Sequence, residues 1–224
     1  IMKGDVPTVT DGRILGHEGV GIIEQIGGNV SNFQIGDHVL ISCISSCGRC
    51  ANCKKGMYSH CENGGGWILG NLIDGTQAEY VRIPFADNSL HAIPAEADEE
   101  SLVMLSDILP TGFECGVLNG QINPGDTVAV IGSGPIGLAV LLTAQFYSPA
   151  AIIMVDNDSN RLDVARRFGA TQVIHNDLGN AAEKIMALTN NRGVDVAVEA
   201  IGIPSSFDIC QEIVTAGGHI ANVG

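Results

Sequence analysis

Cys47, Cys50, Cys53 and Cys61 stand in the pattern C-x2-C-x2-C-x7-C, with Gly48 and Gly56 allowing the tight turns that bring four sulfurs around one point. Four thiolates satisfy the tetrahedral preference of zinc and leave no position open for water, so the spacing predicts a closed, structural metal site. Two disulfides or four ordinary thiols are the alternatives. Five of the seven cysteines lie between Cys43 and Cys61, and an odd, clustered total suits metal ligation and a reducing, cytoplasmic setting better than a disulfide framework. Cys43 is surplus to a tetrahedron and by itself reads as a small buried hydrophobe.

A second set of residues suits a dinucleotide. Gly132-Ser133-Gly134-Pro135-Ile136-Gly137 follows a strand-like run at 127–131 and opens an apolar, helix-like run. The first glycine allows the turn, the second lets a pyrophosphate approach, and the third permits close packing of helix on strand. Asp156 ends the next strand-like run, where its carboxylate can accept both ribose hydroxyls and repel a 2′-phosphate, which favours NAD over NADP.

The third set is the smallest. Gly16-His17-Glu18-Gly19 puts an imidazole beside a carboxylate, with glycines that let the backbone fold closely around them. His17 suits a ligand of an open, catalytic zinc, although a single histidine before a strand is more often a hydrogen-bonded structural residue. His38, His60, His91, His175 and His219 take only that structural reading.

These groups need a scaffold that holds them. Up to about residue 94 the sequence shows short β-rich runs at 20–25, 39–43, 78–83 and 90–93, split by glycine turns. An acidic run at 95–100 reads as a solvated helix start. Beyond 123–126 strand-like runs alternate with helical ones: strands at 127–131, 152–155, 173–174, 194–199 and 219–223, with helices at 135–146, 161–168, 181–188 and 205–214. That alternation predicts an α/β fold, a β-rich half followed by a doubly wound parallel sheet.

Charge narrows the partners. Lys and Arg number 11 against 25 Asp and Glu, a net charge of −14, which speaks against nucleic acid or an anionic membrane as partner. The most apolar run, 128–144, is interrupted by Gly132, Ser133, Gly134, Pro135 and Gly137 and reads as strand, turn and helix rather than a membrane span.

Taken together, Gly16-His17-Glu18, the cysteine lobe, Ser106-Asp107-Ile108-Leu109-Pro110-Thr111-Gly112 and the glycine fingerprint make the chain similar, over essentially its whole length, to the zinc-dependent alcohol dehydrogenases of the medium-chain dehydrogenase/reductase superfamily. The resemblance implies a GroES-like catalytic domain at 1–110, with its zinc lobe at 43–61, and an NAD-binding Rossmann domain at 111–224. It implies that His17 and Asp107 bind a catalytic zinc with Glu18 close by, and that Cys47, Cys50, Cys53 and Cys61 hold the structural zinc. Thr111 and Ile136 would flank the nicotinamide, with Gly132, Gly134, Pro135 and Gly137 along the cofactor. Asp156 would hold the adenosine ribose, Arg161 would sit beside it, and Cys43 and Trp67 would line the substrate pocket.

The implied reaction is reversible hydride transfer between NAD and a small alcohol or aldehyde, by a homodimer or homotetramer. A polyol or sugar dehydrogenase of the same superfamily and a non-catalytic, zinc-stabilised NAD-binding module are the alternatives. The family's third ligand of the catalytic zinc would precede Ile1, and its sixth Rossmann strand would follow Gly224. Both domains are therefore expected to be incomplete, with the catalytic zinc held weakly and little or no turnover by these residues alone. His17 and Asp107 are expected to approach within a few ångströms across the cleft between the two halves.

Overall fold

The computed structural model describes residues 4–224, which form two compact units, one ending at Asp107 and the other spanning Ile108–Gly224. In the first unit three short strands, β1 (Gly19–Ile22), β2 (His38–Ile41) and β3 (Leu90–Ala92), pair antiparallel in the order β1-β2-β3. Gly19 lies opposite Ile41, and Val39 opposite Ala92. Val39, Ile41, Leu69 and Leu90 form the core of this unit, flanked by Phe33, Ile73, Val81 and Ile83. Single helical turns, α1 (Ala86–Ser89) and α2 (Glu99–Leu102), stand on either side of β3.

The segment 78–83, expected as a strand, is not one. Its alternation is real, because Val81 and Ile83 pack on the core. A strand also needs a ladder, however, and among the described residues none forms along this segment. Alternation reports which side chains are buried, not whether the backbone finds a partner.

The second unit opens with α3 (Ile108–Thr111) and a π-helical stretch at Gly112–Leu118. A Cβ on Gly112 would come within 2.6 Å of Ala139 Cβ, and one on Gly116 within 2.5 Å of Val140 Cγ2. Those two glycines let the stretch lie directly on α4 (Pro135–Ala144). Five parallel strands follow in the order β6-β5-β4-β7-β8, with β4 Thr127–Ile131, β5 Ala151–Asp156, β6 Gln172–His175, β7 Val194–Glu199 and β8 Val214–Asn222.

Alternate residues of these strands serve opposite faces. Val128, Val130, Ile152, Met154, Val196 and Val198 pack with Val140 and Leu141 of α4 and with Leu162 of α5 (Ser159–Arg167). Ala129, Ile131, Ile153, Val155 and Ala197 pack with Ile185 of α6 (Ala181–Leu188) and with Cys210 and Ile213 of α7 (Pro204–Ile213). A sheet covered on both faces needs continuous apolar strands, which is why the period-two polarity seen at 78–83 is absent here.

Candidate active site and metal centres

The turn that carries His17 is built by three glycines from separate stretches of chain. Gly16 has φ +95°, and a Cβ there would stand 2.6 Å from Thr76 Oγ1. A Cβ on Gly75 would lie 1.9 Å from Gly16 O, and one on Gly70 2.6 Å from Gly16 N. The backbone of 14–16 can therefore lie against 75–77, where Gly75 N–H donates to Ile14 O, Thr76 N–H to Gly16 O and Gln77 N–H to Leu15 O. Spacing alone did not single out Gly70 or Gly75, because a close approach leaves no periodic mark in sequence.

Asp107 is delivered to the same point by Ser106. The Ser106 hydroxyl accepts the Gly19 N–H at 3.2 Å and its carbonyl accepts the Cys43 N–H at 3.1 Å, fastening this residue to the start of β1 and the end of β2. His17 Nε2 then lies 2.8 Å from Asp107 Oδ2, and ligand atoms of His17, Glu18 and Asp107 all fall within 4.8 Å of one another. Both partners belong to the first unit, so the expectation that they meet across a cleft between the two halves is corrected: the Ser106 bonds hold Asp107 with the β-rich residues.

The electrostatics of this cluster pull in two directions. The hydrogen bond that His17 donates to the Asp107 carboxylate raises its pKa above the ordinary value, against the opposing effect of burial, and the charges of Asp107 and Glu18 add to the rise. On the other side of the ring Trp67 Nε1–H donates to His17 Nδ1 at 3.3 Å, a bond that needs a lone pair there and so favours the neutral imidazole. Burial, with the neighbouring Asp107 carboxylate, pushes the Cys43 thiol up to about 12. One imidazole and two carboxylates are hard or borderline donors that fit zinc, and Cys43 stands beside them as a neutral thiol.

In the cysteine lobe the four sulfurs likewise lie within 4.8 Å of one another. Cys47 Sγ and Cys53 Sγ are 3.9 Å apart, close to the edge of about 3.8 Å that a tetrahedron with zinc–sulfur bonds of about 2.3 Å requires. None of the seven cysteines is in a disulfide. The Arg49 N–H and the Asn63 amide, the latter at 3.2 Å from Cys47 Sγ, draw Cys47 down to about 6, whereas burial pushes Cys53 up to about 12. Gly65 closes the lobe: a Cβ there would stand 2.3 Å from Ser45 O and 3.0 Å from Cys61 Sγ.

In the second unit the glycine fingerprint joins β4 to α4. Gly132 has φ +109°, and a Cβ on Gly137 would lie 1.9 Å from Gly132 O. In front of Gly134 there is open room, with Arg161 Nη1 at 3.9 Å as the nearest atom to a Cβ built there. No side chain caps the start of α4, and Ser133 Oγ is buried without a hydrogen-bond partner. These unsatisfied donors fit a pyrophosphate.

A cavity of about 580 Å³ extends from Gly132 and Gly134 past Asp156 and Arg161 to Ala200 and Ile201. It lies at the carboxyl ends of β4, β5 and β7, and the strand order reverses between β4 and β7. Glu199, read from sequence only as a strand end, is buried there. Its carboxylate accepts the Ile201 and Gly202 N–H groups and the Ser206 hydroxyl, which shapes the far wall. Thr111 ends α3 and Ile136 lies in the first turn of α4, both partly buried.

Family models match both units: the alcohol dehydrogenase GroES-like domain over residues 1–95 and the zinc-binding dehydrogenase domain over residues 135–224. The chain belongs to the zinc-dependent alcohol dehydrogenases of the medium-chain dehydrogenase/reductase superfamily. A solved zinc-dependent alcohol dehydrogenase 2 from Streptococcus pneumonia, in its apo form, is 58% identical with a TM-score of 0.94, over 100% of this chain and 63% of that one. An alcohol dehydrogenase of Cupriavidus necator is 36% identical over 100% of this chain and 65% of its own length. An NADP-dependent isopropanol dehydrogenase of Thermoanaerobacter brockii is 35% identical over 98% and 64%. This family member thus spans just under two thirds of the length of each of these three relatives.

Proposed function

We propose that the protein to which this chain belongs is a zinc-dependent oxidoreductase that interconverts a small alcohol and its aldehyde or ketone with NAD. The reading rests on the meeting of His17 and Asp107 at 2.8 Å beside Glu18, in a chain whose other unit carries the fingerprint groove. Zinc bound by His17 and Asp107, with Glu18 near, would supply a Lewis acid for the substrate oxygen, and NAD would supply the hydride acceptor. The chain's own residues bind and orient. Cys43, small and neutral, leaves room beside the metal ligands, and Trp67 gives the pocket an aromatic wall. The four cysteines of the lobe hold a second zinc that is structural, since their sulfurs leave no open position.

In the second unit Gly134 and the open start of α4 receive the pyrophosphate, and the family resemblance assigns Pro135, Ile136 and Thr111 to the nicotinamide end of the cofactor. Asp156 supports NAD over NADP, because its carboxylate would face the ribose and repel a 2′-phosphate. Arg161, 56% exposed, stands 3.8 Å from the nearly buried Asp156 carboxylate, beyond hydrogen-bond distance, so the two form only a loose ion pair.

The decisive experiment is substrate profiling of the full-length protein with NAD and with NADP against primary alcohols, secondary alcohols and polyols. Turnover of small alcohols with NAD is expected. A marked preference for polyols would move the protein to the sugar-alcohol dehydrogenases. Cofactor binding without turnover of any alcohol would make it a binding module.

A further inference from the structure

We propose that Trp67 is a positioning residue for His17: a latch that keeps the imidazole proton on Nε2 while the metal is absent and lets go when a metal takes that nitrogen. The proposal rests on the reading of His17, Glu18 and Asp107 as a metal site. An indole N–H can only donate, so its 3.3 Å contact with His17 Nδ1 requires a lone pair on Nδ1. The ring proton of the neutral imidazole is then on Nε2, where it is given to Asp107 Oδ2 at 2.8 Å. Both ring nitrogens have polar partners in this orientation and would lose them if the ring were turned over. The rings meet edge-on, at 80° with centroids 5.9 Å apart, a geometry compatible with the indole N–H directed at a ring nitrogen. Trp67, His17 and Asp107 therefore form a chain of donors running one way.

A metal in this cluster reverses the pattern. It needs the lone pair of Nε2, the nitrogen that faces Asp107, and the ring proton must then be on Nδ1. The proton passes from one nitrogen to the other through solvent, and the imidazole is neutral before and after. Trp67 Nε1–H and His17 Nδ1–H would then be two donors face to face, so the indole bond and the metal exclude each other.

The surroundings allow the side chain to leave while the backbone stays. Trp67 is 38% exposed. Its carbonyl accepts the Asn71 amide at 3.1 Å, and the preceding Gly66 pairs with Ser45 through two backbone hydrogen bonds. Because Gly65 is wedged between Ser45 and Cys61, the same lobe that carries the four cysteines anchors the latch. No other tryptophan occurs in these 224 residues.

The test is nitrogen-15 spectroscopy of the full-length protein with one equivalent of zinc, enough for the thiolate lobe, and then with excess zinc, above the imidazole titration. The Trp67 indole signal is assigned by its loss in Trp67→Phe. With the lobe alone filled, His17 should show its proton on Nε2 and a hydrogen-bonded indole. Filling the second site should move the proton to Nδ1 and shift the indole signal to that of a solvated N–H. Trp67→Phe, which keeps the ring and loses the donor, should bind the second zinc about two- to tenfold more tightly in a chelator competition. An Nδ1 proton before the second zinc binds, or an indole bond that survives it, would overturn the latch alone. A protein that takes up no second zinc would overturn the metal-site reading and the latch with it.

Discussion

The carboxylate of Asp156 accepts the Ser133 N–H at 2.7 Å through one oxygen and the Asp158 N–H at 2.9 Å through the other. The acid proposed to choose the cofactor is thus also the clasp that holds the end of β5 to the glycine fingerprint. Its charge and its position are linked, and a substitution there should change specificity and local order together.

Asp156→Gly should therefore raise the ratio of NADP to NAD affinity by about tenfold or more, since about 1.4 kcal/mol of relieved repulsion suffices. Adding Asn157→Arg should raise it further by giving the 2′-phosphate a cation. Dissociation constants for both cofactors measure this. A wild-type protein that binds NADP as tightly as NAD would refute the role of Asp156.

Replacing any one of Cys47, Cys50, Cys53 or Cys61 by serine should lower zinc content by one equivalent and the melting temperature by on the order of 10 °C, the shift that a few kcal/mol produces in a protein of this size. Elemental analysis and calorimetry read the two together. Undiminished zinc in all four variants would remove the lobe from the metal account.

Alkylation should distinguish the cysteines in metal-free protein. Cys47, drawn down to about 6 by the Arg49 N–H, is mostly thiolate at neutral pH and should react first with iodoacetamide. Cys43, Cys53 and Cys210, each pushed up to about 12 by burial, should react last. Its lead should shrink as pH falls through about 6, where its thiolate is lost. Peptide mass spectrometry gives the order, and an early Cys53 would contradict it.

The His17–Asp107 pair makes the metal-free protein sensitive to alkali. A folded-state pKa raised above the unfolded value of about 6.5 adds stability in full below that value, and the gain is lost as pH rises through the raised one. Asp107→Asn should flatten this part of the melting-temperature profile. Identical slopes in wild type and variant across the range above about pH 6.5 would show that the pair contributes nothing.

Gly75→Ala should be among the most damaging small changes in the first unit, because its Cβ would lie 1.9 Å from Gly16 O and push apart the strands of backbone that position His17. A loss of about 1–3 kcal/mol is expected, the usual cost of overpacking, with weaker zinc binding at the His17 cluster. Gly21→Ala, where a Cβ meets nothing within 4 Å, is the control. Equal stability of the two variants would contradict the close approach.

What the amino-acid order determined by itself was local: the turn-sized spacing of Cys47, Cys50 and Cys53, the fingerprint between β4 and α4, and Asp156 at the end of the next strand. Each of these depends on neighbours a few residues apart, or on one strand-helix-strand repeat, so chain geometry is enough to foresee it. Asp107 was named only through family resemblance. Tertiary structure decided what converges from a distance: Asp107 on His17 Nε2 across 90 residues, Trp67 on the Nδ1 of the same ring across 50, and Gly75 against Gly16. It also decided that 78–83 lends its side chains to the core without joining a ladder among the described residues. Such contacts depend on which surfaces pack together, and packing joins residues whose separation in the chain carries no period.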